Sequence, residues 1–194
     1  YIDFMKSHTK KPVTTAETWD IWEKNPQLAN HVDFLTIHIL PYWEKVPIER
    51  YNEFIIEKYT LVEELFPNRK IVIGETGWPS HGYNNNSAIP SIKNQAQAIR
   101  GFVNLAHEKG WHYNIIEALD QPWKGYDEGN VGQYWGIFTT DRALKFQLAG
   151  EVELNQYWFY QMIAAIIIGA LLTLYGLRNQ RLNISHALAY AIAA

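Results

Sequence analysis

The sequence predicts an α/β fold: strands five to eight of a (βα)8 barrel, the C-terminal half of a TIM barrel, followed by a transmembrane helix. Three observations predict it. Short apolar runs rich in β-branched residues recur four times between residues 13 and 119, separated by stretches of helical periodicity. Such alternation belongs to a parallel sheet covered on both faces. Polar residues gather where the runs end, at Glu17, His38, Glu75, Glu117 and Asp120. Lastly, the twenty residues from Trp158 to Leu177 carry no charge. The alternation alone fits half a barrel or a small open sheet. The polar clustering favours the barrel, which builds its sites at the carboxyl ends of its strands.

The elements follow in chain order. Tyr1-Ile2-Asp3-Phe4-Met5 reads as the middle of a helix, and the chain closes within an apolar run, so the sequence is expected to be a fragment whose first four strands lie upstream. Val13-Thr14-Thr15-Ala16-Glu17 follows Lys-Pro and reads as a strand. Val32 to Ile39 is a nearly continuous apolar run and reads as the next. Ile48, Tyr51, Ile55, Val62 and Leu65 fall near helical spacing. Ile71-Val72-Ile73-Gly74-Glu75 is the third strand, with Gly77 and Trp78-Pro79 turning the chain after it. Asn84-Asn85-Asn86 reads as a surface loop. Ile92, Ile99, Phe102, Val103 and Ala106 mark a helix that Gly110 caps. Tyr113 to Leu119 is the fourth strand. Residues 1–150 thus form the partial barrel and 151–157 a juxtamembrane linker. Residues 158–177 form the membrane helix, and 178–194 a cytoplasmic loop with the start of a second apolar segment near Ile184.

The uncharged run is long enough to cross the roughly 30 Å hydrocarbon layer. Tyr157, Trp158 and Tyr160 mark one interface and Tyr175 the other. Arg178 and Arg181 follow the run, whereas Glu151 and Glu153 precede it. Positive residues stay on the cytoplasmic side, so residues 1–150 are expected outside.

Composition narrows the chemistry. A formal charge of −3 and the lack of any Lys/Arg run beyond Lys10-Lys11 argue against a nucleic-acid surface. Cysteine is absent, and the seven histidines form no metal-ligand pair, so neither a disulfide nor a metal site is expected. No Gly-rich phosphate loop occurs and no cofactor is expected. Eight Trp and twelve Tyr are many for 194 residues and suit carbohydrate stacking as well as core and membrane interface.

Glu75 stands out. It ends a buried strand, beside Trp78 in a sharp turn. A carboxylate there supplies a nucleophile, and an indole offers a flat apolar face to a pyranose ring. A retaining glycosidase needs a second carboxyl roughly 5–5.5 Å away. Within this chain only Glu17, Glu117 and Asp120 are eligible.

Four segments resemble glycoside hydrolase family 17, the β-1,3-glucanases. Ile73-Gly74-Glu75-Thr76-Gly77-Trp78-Pro79-Ser80 matches the family's nucleophile signature almost position for position. Val13 to Glu17 matches the strand after the family's acid/base strand. His38-Ile39-Leu40-Pro41-Tyr42-Trp43 resembles its strand-six segment, and Ile116 to Lys124 its last strand, continued by Tyr134 to Phe138 and Lys145-Phe146. The resemblance implies that Glu75 is the nucleophile. It implies a sugar-lining Tyr in the Tyr42 segment and polar sugar contacts from Ile116 to Lys124; substrate contacts are expected at Tyr42, Trp78, Glu117, Asp120, Trp123, Lys124, Glu17 and His38, with Tyr42 and Trp123 the foremost sugar contacts. Two departures stand against it. The family's Val-Gly-Asn-Glu acid/base segment does not occur, so that Glu is expected upstream of Tyr1. Gln121 stands where many members carry Glu.

The resemblance implies a retaining β-1,3-glucan-active hydrolase or transglycosylase, of a bacterial type anchored in the inner membrane with its catalytic part periplasmic or extracellular. Its partners are β-1,3-glucan and the lipid bilayer. The alternative is a catalytically silent glucan-binding domain of a membrane β-glucan synthase.

Overall fold

The computed structural model describes residues 1–152, 155 and 157–178. The chain divides into two units, Tyr1–Val152 and Glu153–Ala194.

The first unit opens with a short helix α1 (Ile2–His8) and then alternates: β1 (Ala16–Thr18), α2 (Trp19–Lys24), β2 (Leu35–His38), α3 (Tyr51–Leu65), β3 (Ile71–Thr76), α4 (Ile92–Lys109) and β4 (His112–Ile115). The strands pair in the order β1-β2-β3-β4, all parallel. Consecutive parallel neighbours joined by helices are the repeating unit of a (βα)8 barrel, and the sheet is a partial barrel as the sequence predicts.

Burial of one face drives this arrangement. Leu35, Ile37, Ile39, Ile71 and Ile73 join Trp22, Ile55, Val62, Phe102 and Ala106 in one core between sheet and helices. Each fully buried aliphatic of this kind contributes about 1.5–3 kcal/mol. The C-terminal end of α4 matches its sequence signal, and its start is capped by a side chain. Ser91 accepts the Asn94 N–H at its start, and Gly110 ends it at φ 66°.

Three expected strands are shorter than their apolar runs, and β2 keeps only Leu35–His38 of the run from Val32 to Ile39. Val13 is outside β1, although its N–H donates to Asp33 Oδ2 and its carbonyl accepts from Asp33 N. The fourth run leaves β4 after Ile115, because residues 117–120 switch partner. Ile137 N donates to Glu117 O, Phe138 N to Ala118 O, and Asp120 N to Phe138 O.

In the second unit, α5 (Trp158–Leu177) is one continuous helix. Trp158–Gly176 has a mean hydropathy of 1.8 and is long and apolar enough to cross a membrane. Glu153, Arg181 and the second apolar segment near Ile184 lie outside the described residues.

Candidate active site

The site begins with a register slip. Ile37 pairs with Ile73, but the next residue, His38, pairs with Glu75, so Gly74 is an extra residue in β3. The pairing with β4 slips at the same place. Strict alternation would put Glu75 on the face of Ile71 and Ile73, against the helices. One extra residue reverses the phase. Thr76 takes the helix-facing position instead, fully buried, with its hydroxyl 2.8 Å from the Tyr51 hydroxyl of α3. Glu75 turns to the opposite face beside His38, whose Nδ1 lies 3.4 Å from Glu75 Oε2. The Glu75 side chain remains 38% exposed.

Only glycine fits at the slip. A Cβ on Gly74 would press into the Thr36 methyl and come within 2.9 Å of the His38 ring.

A second cluster forms where the chain leaves β4. Glu117 is fixed through its backbone, its N–H donating to Trp135 O and its carbonyl accepting from Ile137 N. Its Oε2 accepts from Lys124 Nζ at 2.9 Å and also from Gln121 Nε2. Glu117 and Lys124 are only 11% and 13% exposed. A carboxylate at position 121 would set like charge against Glu117, whereas the amide donates to it. Trp123, on the 3-10 helix Pro122–Tyr126, is 59% exposed, and Lys124 Nζ lies 5.9 Å from its ring centroid.

Glu128, which the sequence did not single out, joins this cluster of charges. Burial raises its pKa above the usual glutamate range. Glu117 and Glu75 reinforce the shift, and Lys124 opposes it. Three carboxylates and one ammonium therefore share a field. In the structure Glu128 packs against Gly132, and no pattern in the sequence marks it.

Four expected substrate contacts are corrected. Glu17 pairs with Ile37, the fully buried helix-facing residue of β2, and so points away from the Glu75 face. Trp78 is fully buried, edge-on to Tyr42 and Tyr51, with its indole N–H donating to Ile89 O. Tyr42 is also fully buried. Its hydroxyl donates to Tyr83 O, and burial pushes its pKa up to about 12, with Tyr83 adding to the shift. These two rings form the packed floor beneath the turn and present no free face for stacking. Asp120 is 9% exposed and already taken: Oδ1 accepts from Lys145 Nζ and from Gly136 N. His38, Glu75 and Trp123 keep exposed surface at 19%, 38% and 59%, whereas Glu117 and Lys124 are nearly as enclosed as Asp120.

A profile of the BtgE/BtgC glycoside hydrolase domain matches residues 2–136. The chain is 29% identical over 155 residues to a glucan 1,3-beta-glucosidase of Saccharomyces cerevisiae, covering 74% of this chain and 49% of that protein. Among solved structures it resembles a glycoside hydrolase family 17 beta-1,3-glucanosyltransferase from Rhizomucor miehei. The TM-score is 0.70 at 25% identity, covering 77% of this chain and 56% of that one. An active-site mutant of that enzyme in complex with laminaritriose gives a TM-score of 0.67 at 26% identity, covering 74% of this chain and 53% of that one. The chain thus spans about half the length of these relatives.

Proposed function

The chain belongs to the BtgE/BtgC glycoside hydrolase family, within glycoside hydrolase family 17, and from that premise we propose that it carries the nucleophile half of a retaining enzyme acting on β-1,3-glucan. One observation carries the assignment. Glu75 is a half-exposed carboxylate turned by a bulge onto the open face of the sheet. Glu117 by contrast is 11% exposed with Oε2 held by Lys124 and Gln121. A nucleophile needs an accessible oxygen, and of these two carboxylates Glu75 offers one.

In this reading Glu75 attacks the anomeric carbon. The leaving oxygen takes a proton from a second carboxyl, and water or another sugar hydroxyl then releases the glycosyl unit. We place the general acid outside these 194 residues, since the relatives are about twice as long as the matched part. Lys124 neutralises Glu117 and limits repulsion among the carboxylates. Trp123 supplies the stacking face, and His38 and Glu117 hydrogen-bond sugar hydroxyls. In the complete enzyme, meaning these residues with the rest of the barrel, the first product seen by proton NMR should keep the β configuration. An initial α product would contradict the retaining assignment.

The helix Trp158–Leu177 anchors this domain in a bacterial membrane in the same reading, with Arg178 cytoplasmic and Glu75 on the other side. The chain has no cysteine, so single cysteines report cleanly. In intact cells with a permeabilised outer layer, Asn84→Cys should react with an impermeant maleimide and Asn179→Cys should not. The reverse pattern would overturn the topology.

A further inference from the structure

Lys145 takes no part in the site described above, yet its side chain is 5% exposed and each of its three N–H bonds has an acceptor. Nζ lies 2.6 Å from Asp120 Oδ1, 2.7 Å from Ser80 Oγ and 3.3 Å from Tyr134 O. These acceptors come from three separate stretches. Ser80 belongs to the turn that leaves β3, four residues past the Glu75-Thr76 pair that ends the strand. Asp120 belongs to the exit of β4, three residues past Glu117. Tyr134 opens the segment that pairs with both, since its carbonyl also accepts from Ser80 N at 2.9 Å and from Ser80 Oγ at 3.1 Å. The same segment holds Glu117 through Trp135 O and Ile137 N.

We propose that Lys145 is a positioning residue: its ammonium clamps the exit of β3 to the exit of β4 and so fixes how Glu75 and the Glu117–Lys124 pair face one cleft. The proposal rests on the glucan-active reading of Glu75. Gly136 makes the clamp possible. A Cβ there would collide with Asp120 N and the Leu119 carbonyl carbon, so only glycine brings the segment this close. A buried cation also needs a reason to be there. Burial pulls the Lys145 pKa below its usual value, and the hydrogen bond and charge of Asp120 counter this. An uncharged core residue would carry no such penalty but would tie none of the three stretches together. The clamp touches no sugar, so its loss acts on the geometry of the reacting groups. A displacement of about 1 Å there costs on the order of a hundredfold in rate.

The test compares Lys145→Met with Lys145→Met/Asp120→Asn in the complete enzyme, using laminari-oligosaccharides. The single variant leaves Asp120 buried without its cation and should lower both Tm and kcat, with kcat down about a hundredfold and KM within roughly threefold. The double variant removes the unpaired charge and should recover most of the Tm while kcat stays low. A kcat that recovers along with Tm, or that never falls, overturns the positioning role. If the single variant does not fold, Ser80→Ala decides. It removes one acceptor and leaves the Lys145–Asp120 pair, and it should lower kcat several-fold at nearly unchanged Tm; an unchanged kcat overturns the proposal. A wild-type enzyme that turns over no glucan would sink the functional reading alone. Hydrogen exchange at the Ser80 and Asp120 amides then judges the clamp. Faster exchange at both in Lys145→Met supports it, and unchanged exchange overturns it.

Discussion

Glu75→Gln in the complete enzyme should abolish glycosyl transfer while leaving the fold intact. The substitution keeps the volume and one acceptor oxygen, so the contact with His38 and the bulge at Gly74 persist. It removes the nucleophile, and an amide cannot form the glycosyl ester. We expect kcat to fall by about 10⁴-fold or more, in line with the loss of a covalent nucleophile elsewhere. Glu117→Gln should cost less than about a hundredfold, because Glu117 holds Lys124 and sugar hydroxyls but breaks no bond. The two carboxylates are thus separated by magnitude. Steady-state rates on laminari-oligosaccharides with an activated leaving group check this. A Glu75→Gln enzyme near wild-type rate beside a dead Glu117→Gln would reverse the assignment.

The second large effect is expected at Gly74, a residue that touches no sugar. Gly74→Ala forces a methyl against Thr36 and the His38 ring. The strand must then shift or lose its bulge. Shifting overpacks the sheet, at about 1–3 kcal/mol of stability. Losing the bulge returns Glu75 to the helix-facing side, among Ile71, Ile73 and the core. Either way the carboxylate leaves its place beside His38, and kcat should drop about a hundredfold. Adding Thr36→Ser removes the obstructing methyl and keeps the hydroxyl that bonds Thr14 Oγ1, so the double variant should regain part of both stability and rate. Calorimetry and kcat on the two variants read this out. A Gly74→Ala enzyme with wild-type kcat would refute the bulge as the device that aims Glu75.

The bulge also marks the limit of what the sequence discloses. Strand order, the helices α3 and α4 and the cap at Gly110 were legible, because apolar periodicity and end signals are local, whereas the six-residue α2 is too short to show a period. Gly74 was legible only as part of a strand-to-turn signal. Its role as an extra residue depends on where β2 and β4 place Thr36, His38 and Ile115, which no local pattern records. Glu17 was misjudged for the same reason: it ends an apolar run like Glu75 does, but without a bulge it stays in phase with Ile37 and points to the helices. Trp78 and Tyr42 sit in a motif that invites stacking, yet both rings are consumed by packing against each other, Tyr51 and Trp135. Asp120 looked free because its cation lies twenty-five positions later, at Lys145. Glu128 was missed because its only signal is spatial.

In the proposed reaction a Glu75 carboxylate oxygen bonds the anomeric carbon as the leaving oxygen departs, and one measurement tests this directly. The complete enzyme is incubated with a 2-fluoro-2-deoxy laminaribiosyl fluoride, which forms the glycosyl-enzyme and releases it slowly. Trypsin should yield Ile71–Lys93, a peptide in which Glu75 is the only carboxylate side chain. We predict that mass spectrometry finds the sugar on this peptide. Label on Gly110–Lys124, which carries Glu117 and Asp120, or a fully inhibitor-consuming enzyme with no labelled peptide, would contradict the account.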